Sequence, residues 1–169
     1  GGTEILPALK AVLEQPRHAG LPRQVVILTD GEVSNTDAVL ALAKEHANDA
    51  RIFTFGIGAS ASHHLVKGLA RAGGGVAEFI YPGERIEAKV VRQFGRLLSP
   101  ALADVRLDWH GTDVTQAPSA IPPIFPGGRL LLYGLVKQPH SARRSIRATL
   151  SANAATGPVS FDVAIDALA

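Results

Sequence analysis

The sequence predicts an α/β fold, a parallel sheet with flanking helices, followed by an antiparallel β region. Three short apolar runs, at 24–29, 51–56 and 77–81, alternate with segments whose apolar residues recur at helical spacing. Beyond Pro100 the apolar period shortens to two, the signature of strands with one buried face. Strands that alternate with helices pair in parallel through right-handed crossovers.

The first helix is expected over residues 4–14, where Ile5, Leu9, Val12 and Leu13 share helical spacing and Pro7 falls in the first turn, where a missing N–H costs least. Breakers at Gln15-Pro16 and Gly20-Leu21-Pro22 precede the apolar strand 24–29. Asn35, Thr36 or Asp37 can cap the next helix, with Val39, Leu42 and Ala43 inward. Ile52, Phe53, Phe55 and Ile57 give the second strand its β-branched and aromatic content, with Phe53 and Phe55 on one side for packing against a helix. After the loop opened by Gly56-Ile57-Gly58, Ser62 is placed to cap a third helix with Leu65, Val66 and Leu69 inward, stopped by Gly73-Gly74-Gly75. A third strand follows, then a helix with Ile86, Val90, Phe94 and Leu97 on its inner face, bounded by Pro100. The boundary between domains is expected near residue 100, with 1–100 an α/β part and 101–169 a β-sandwich-like extension. In the second part Val105, Leu107 and Trp109, then Ile146, Ala148 and Leu150, then Val159, Phe161, Val163 and Ile165 alternate with other residues. Residues 129–136 read as a more buried strand, and Gly157-Pro158 as a turn.

Composition bounds the function. The 169 residues are 46% hydrophobic, enough for a real core, and seventeen basic against fifteen acidic residues leave a net charge of +2. That near-cancellation points away from a nucleic-acid footprint, and the densest basic cluster, Arg143-Arg144 with Arg147, reads as a solvated strand face. No cysteine means no disulfide frame and no thiolate zinc site. No apolar stretch approaches the roughly 18 residues of a membrane span, and there is no signal-like beginning. The chain has no methionine and reads as an internal piece of a longer protein, so its compartment is not legible.

The chemistry concentrates where the first strand ends, at Leu28-Thr29-Asp30-Gly31. Ligands of open α/β sheets bind at the carboxyl ends of the strands, so Asp30 stands where an oxygen-ligated cation such as magnesium could be held. Thr3, in the glycine-rich bend Gly1-Gly2-Thr3-Glu4, can add a hydroxyl oxygen. Asp30 could equally be a turn aspartate, and Thr3 a helix cap. Glu32 reads either as a partner-facing group or as an exposed loop glutamate. Adjacent His63 and His64 point in different directions and lack Cys or Glu at ligand spacing, which favours solvent or capping roles over zinc. Gly56-x-Gly58 and Gly73 to Gly75 do not complete a dinucleotide fingerprint, and Trp109 reads as core or interface packing.

Taken together, Gly1-Gly2-Thr3-Glu4, the strand ending Leu28-Thr29-Asp30-Gly31-Glu32 and Phe53-Thr54-Phe55-Gly56-Ile57-Gly58 resemble the von Willebrand factor A-domain family over about residues 1–98. Residues 73–80 and the strand Val105-Arg106-Leu107-Asp108-Trp109 resemble the branch that includes the inter-alpha-trypsin inhibitor heavy chains. The resemblance implies the carboxyl-terminal half of a partial doubly wound, Rossmann-like domain. It also implies non-enzymatic, adhesion-type protein recognition through a divalent cation, magnesium or manganese, whose open position an acidic residue of a protein partner fills. Thr3 matches the threonine and Asp30 the aspartate of the metal-ion-dependent adhesion site. The third element, Asp-x-Ser-x-Ser, occurs nowhere in the 169 residues and in the family precedes the threonine. One hydroxyl and one carboxylate are too few for a cation that wants six oxygens.

The implied binding face is the rim of Thr3, Asp30, Glu32 and loop 58–62. In the family's sheet order the strand 24–29 pairs with a strand absent here, so its Val25-Val26-Ile27-Leu28 edge is expected to be open and to drive self-association. Two other readings remain. One is a metal-independent structural scaffold. The other is a magnesium-dependent phosphohydrolase with Asp30 as nucleophile and Glu32 as metal ligand or acid. The phosphohydrolase needs carboxylates at neighbouring strand ends, where Gly56-Ile57-Gly58 and Tyr81-Pro82-Gly83 supply none.

Overall fold

The computed structural model describes residues 4–16, 23–137 and 145–166. The chain divides into two compact units, Gly1–Leu97 and Leu98–Ala169. In the first, helices α1 (Ile5–Leu13), α2 (Thr36–Glu45), α3 (His63–Ala72) and α4 (Ile86–Leu98) alternate with strands β1 (Arg23–Thr29), β2 (Ala50–Ile57) and β3 (Gly74–Ile80). The strands form one parallel sheet in the order β1-β2-β3. This is the expected α/β architecture.

Alternation along the strands sends side chains to two faces. On one face Ile52 of β2 packs with Leu9 and Leu13 of α1, Val39 and Ala43 of α2, and Leu65 and Leu69 of α3. Thr54, also buried on that face, donates its Oγ1 hydrogen to Val66 O of α3 at 2.8 Å. Of the four apolar residues at helical spacing in α1, Val12 faces solvent, while Leu6 packs against the core. The end of α1 is secured by Arg23, whose guanidinium donates to Leu13 O and Gln15 O. Ser62 caps α3 as its position predicts, accepting from Leu65 N at 3.3 Å.

The glycine tract does more than stop α3. Only Gly73 caps the helix; Gly74 and Gly75 already belong to β3, so that strand starts three residues earlier than expected. A Cβ on Gly75 would lie 2.1 Å from Ile52 O, and one on Gly73 would lie 2.6 Å from the Ile52 side chain. These residues are glycine because the chain passes this close to β2.

Phe53 and Phe55 are buried on the opposite face, and α4 crosses there. Gln24, on the same face as Phe53 by register, donates to Leu97 O at 2.8 Å. Between Ile52 and Thr54 the pairing of β2 with β3 shifts register. At this irregularity Gln93 of α4, fully buried, donates to Val76 O at 2.6 Å and to Thr54 O at 3.4 Å. Beside it Glu78 accepts two hydrogen bonds from Arg92, at 2.7 and 2.8 Å, and one from Arg96 at 2.6 Å. This polar seam corrects the expected inner face of α4: Val90 and Leu97 are half-buried, while Ile86 and Phe94 are exposed.

The second unit holds β4 (Ala103–Asp108), β5 (Val114–Ala117), β6 (Tyr133–Val136), β7 (Ser145–Ala154) and β8 (Gly157–Asp166). They form two antiparallel sheets, β4-β7-β8 and β5-β6. Two expectations fail here. The strand expected over 129–136 is confined to β6, and Leu131, Tyr133 and Leu135 are exposed rather than buried. Gly157-Pro158 is not the turn but the start of β8, paired with Ala154 and Asn153. The turn lies at Ala155 and Thr156; β8 is an edge strand among the described residues, and its Phe161 and Val163 are exposed.

Candidate functional site

Parallel pairing puts the carboxyl ends of β1, β2 and β3 on one rim. Gly58, at φ +86°, donates its N–H to Ile80 O at 2.8 Å and closes the β2 end onto β3. Ser60 reaches back across loop 58–62 and donates its hydroxyl to Asp30 O at 2.8 Å. Asp30 and this loop are therefore brought together, as the rim reading expects. The turn after β1 is stitched weakly by Thr29, whose Oγ1 accepts from Gly31 N at 3.5 Å. The exposed Asp30 carboxylate takes no part in that turn and has no hydrogen bond or ion pair among the described residues. Glu32 is likewise exposed on the rim.

Thr3, with Gly1 and Gly2, lies outside the described residues, as does the Arg143-Arg144 pair. Among the described residues no group of three His, Asp or Glu side chains could hold a metal ion. The donor set present, one free carboxylate with hydroxyls at Thr29 and Ser60, does not by itself fit a six-coordinate cation. Nor do free carboxylates gather at the ends of β2 and β3 among the described residues: Glu78, within β3, is bound to Arg92 and Arg96, and Glu84, the first after it, to Lys89 and to Tyr81 N.

The rim continues into an aromatic ladder that the sequence reading missed. His63 stacks on Phe79 with ring centroids 4.1 Å apart, and its Nε2 lies 3.1 Å from the Tyr81 hydroxyl. Phe79 stacks in turn with Tyr81 at 6.3 Å, and Lys67 Nζ stands 5.7 Å from the Phe79 centroid. Gly56 makes room for it, since a Cβ there would come within 2.8 Å of the Phe79 ring. The alternation of Phe79 and Tyr81 in the sequence could have signalled this pairing; the partnership with His63 is set by the sheet. His64 remains exposed.

Residues 1–79 match the family model for the von Willebrand factor type A domain. The chain is 44% identical over 139 residues to human von Willebrand factor A domain-containing protein 5B1, an alignment spanning 80% of this chain and 11% of that protein. It is 39% identical over 153 residues to a von Willebrand factor A domain-containing protein of Dictyostelium discoideum, spanning 89% of this chain and 17% of the relative. Human von Willebrand factor A domain-containing protein 5A is 40% identical over 136 residues, 79% of this chain and 17% of that protein. The chain thus spans only a small part of the curated relatives it matches. Among solved structures, a von Willebrand factor type A protein from Catenulispora acidiphila superposes with a TM-score of 0.50 at 18% identity, over 86% of this chain and 42% of that one, a likeness of fold. Residues 1–79 thus belong to the von Willebrand factor type A domain family, and the relatives whose alignments run over most of this chain are von Willebrand factor A domain-containing proteins.

Proposed function

We propose that this part of the molecule serves non-enzymatic protein recognition through the rim of Asp30, Glu32 and loop 58–62, and that in the intact protein the recognition depends on a divalent cation. The observation that supports this reading is the Asp30 carboxylate, without a partner among the described residues at the carboxyl end of β1 and flanked by the loop that Ser60 ties to the Asp30 carbonyl. A turn aspartate would spend its oxygens on the backbone after it. Asp30 leaves that task to Thr29. Magnesium or manganese would then draw on Asp30, on Thr3 and on ligands beyond the 169 residues, the Asp-x-Ser-x-Ser element that the family resemblance implies. An acidic side chain of the partner would complete the coordination. We also read residues 101–169 as a β-sandwich-like extension, akin to the branch of the inter-alpha-trypsin inhibitor heavy chains.

Titration calorimetry with magnesium and manganese tests the metal dependence. A longer chain that includes the preceding segment is expected to bind, with Thr3→Ala and Asp30→Ala each abolishing the heat, whereas the 169-residue chain alone gives none. Binding that survives Asp30→Ala would overturn the assignment. A folded longer chain that takes up no cation would favour the metal-independent scaffold. Turnover of a phosphate ester that Asp30→Ala abolishes would restore the enzyme reading.

A further inference from the structure

Charge on the helices of the first unit is matched except on α3. Lys10 in the last turn of α1 pairs with Glu14 at 3.6 Å, α2 carries Asp37 and Glu45 beside Lys44, and α4 sends Lys89, Arg92 and Arg96 to Glu84 and Glu78. Over His63–Ala72, α3 has Lys67, Arg71 and two histidines but no carboxylate. A turn of 3.6 residues gathers His63, Lys67, Arg71 and His64 within about 100° of the helix, on the arc opposite the buried Leu65, Val66 and Leu69. All four are exposed. Among the described residues neither Lys67 nor Arg71 has a hydrogen bond or ion pair, and Lys67 meets only the Phe79 ring.

The aromatic ladder runs along the side of this arc. His63 and Phe79 lie within 19° of parallel, and Phe79 and Tyr81 within 14°, so the three rings make a flat ledge and not a closed cluster. Tyr81 is pinned there. Its N–H donates to Glu84, its hydroxyl lies against His63, and the Lys89 ammonium stands 5.7 Å from its ring centroid. Lys89 spends its charge on Glu84 and Phe79 O, which leaves Lys67 and Arg71 as the unmatched cations beside the ledge. Glu78 and Glu87 lie with α4, across the sheet. Rings already held in place, next to exposed cations, can anchor a segment at little ordering cost.

We infer that this ledge extends the rim as the docking surface for an acidic segment of a protein partner. Carboxylates of the segment meet Lys67 and Arg71, and an aromatic side chain between them lies against the rings of the ledge. Charge selects the occupant, since an arc with cations and no carboxylate attracts an acidic segment and repels a basic one. The inference rests on the reading of the rim as a protein-recognition face and adds the class of segment recognised. Loop 58–62 joins the two parts: Ser60 holds the Asp30 carbonyl, and Gly58 holds the carbonyl of Ile80, next to Tyr81. The ends of β1 and β3 are two strand spacings apart, about 10 Å, which is the reach of about three extended residues. A segment with one acidic residue at Asp30 therefore lays its next residues over the ledge.

A fluorescein-labelled peptide of alternating glutamate and tyrosine is the probe, read by anisotropy on the longer chain that includes the preceding segment, first in chelator and then in magnesium. In chelator the expected result is saturable binding that Lys67→Glu and Tyr81→Ala each weaken about tenfold, the scale of an anchoring residue. Lys44→Glu on α2 should leave it unchanged, and a peptide of alternating lysine and tyrosine should not bind. Circular dichroism confirms that the variants remain folded. Absence of saturable binding overturns the inference. So does binding indifferent to Lys67→Glu, an equal loss with Lys44→Glu, which would reflect net charge alone, or equal affinity for oligothymidylate, which would mark a surface for another class of polyanion. Magnesium separates this inference from the rim reading: it should tighten the peptide on the parent chain but not on Asp30→Ala. Ledge binding without that gain supports the ledge and refutes the cation. A gain from magnesium with binding that Lys67→Glu and Tyr81→Ala leave intact supports the cation and overturns the ledge.

Discussion

Glu78 sits between two guanidinium groups, and its environment fixes its charge. The hydrogen bonds from Arg92, with those from Arg96 and the Coulomb attraction of both, outweigh partial burial and hold its carboxyl below the ordinary value of 4.5. A carboxylate more acidic in the folded than in the unfolded chain stabilises the fold fully above its unfolded value, and that contribution disappears as pH falls through the folded one. The first unit should therefore lose stability as acid is taken below about 4.5. Glu78→Gln keeps the shape but removes the charge. It is expected to cost about 1–3 kcal/mol near neutral pH, the scale of charge-assisted hydrogen bonds, and to flatten the acid limb of stability. Urea midpoints of both proteins at pH 7 and pH 3.5 measure this, and equal pH dependence in the two would refute the role given to Glu78. The charge pattern of the sequence marks Glu78, Arg92 and Arg96 as ionic, but their meeting depends on α4 crossing β3, a tertiary fact with no local signal. Asp30 was legible for the opposite reason. An apolar strand that stops at Asp-Gly places its carboxylate by backbone geometry alone.

Gln93 explains why elements were easier to read than the faces they bury. Periodicity gave α4 its length, and Ile86, Val90, Phe94 and Leu97 form a real apolar arc. The helix is nevertheless turned so that its fully buried side chain is an amide, because the register shift between β2 and β3 leaves Thr54 O and Val76 O in need of donors. Unmet buried carbonyls cost more than the gain from burying a few more methylenes. The same amide accepts from Arg96 at 3.0 Å, which ties the hydrogen-bonded seam to the ion pair. Gln93→Ala strips two carbonyls of their donor and opens a small cavity, so a loss of roughly 2–4 kcal/mol is expected. Hydrogen exchange should speed selectively in α4 and the outer strand β3 while α1 and α2 keep their protection; uniform acceleration would mean that Gln93 does not pin α4 locally. The strand at 129–136 failed for a related reason. Its apolar residues look buried to a pattern reader, yet among the described residues β6 pairs only with β5, in a two-stranded sheet that exposes Tyr133 and Leu135. The sequence cannot say that a buried-looking strand will find a single partner.

Each unit has its own core, and the two cores differ in kind. The largest fully buried side chains, among them Phe53, Ile52, Leu65, Leu69, Val39 and Val66, all belong to the first unit. Complete burial of such side chains contributes roughly 1.5–3 kcal/mol each. Among the described residues of the second unit the buried apolar ones are Ala101, Val105, Phe125, Ala148 and Ala152, three of them alanines that remove little surface from water. Its apolar alternation is spent partly on exposed positions such as Phe161 and Val163. On burial alone the second unit should be the weaker. Spectroscopy can separate the two because, among the described residues, the four helices lie in or end the first unit, while Trp109, the only tryptophan, lies in the second. Trp109 is held over Gly134, with its indole N–H donating to Gln116 at 3.0 Å, so its emission should change when that packing is lost. In urea, tryptophan fluorescence is expected to reach its midpoint at lower denaturant than helical ellipticity at 222 nm. A single two-state fit should then fail for the whole chain. Coincident transitions would show that the thin second core is supported by something beyond its own burial.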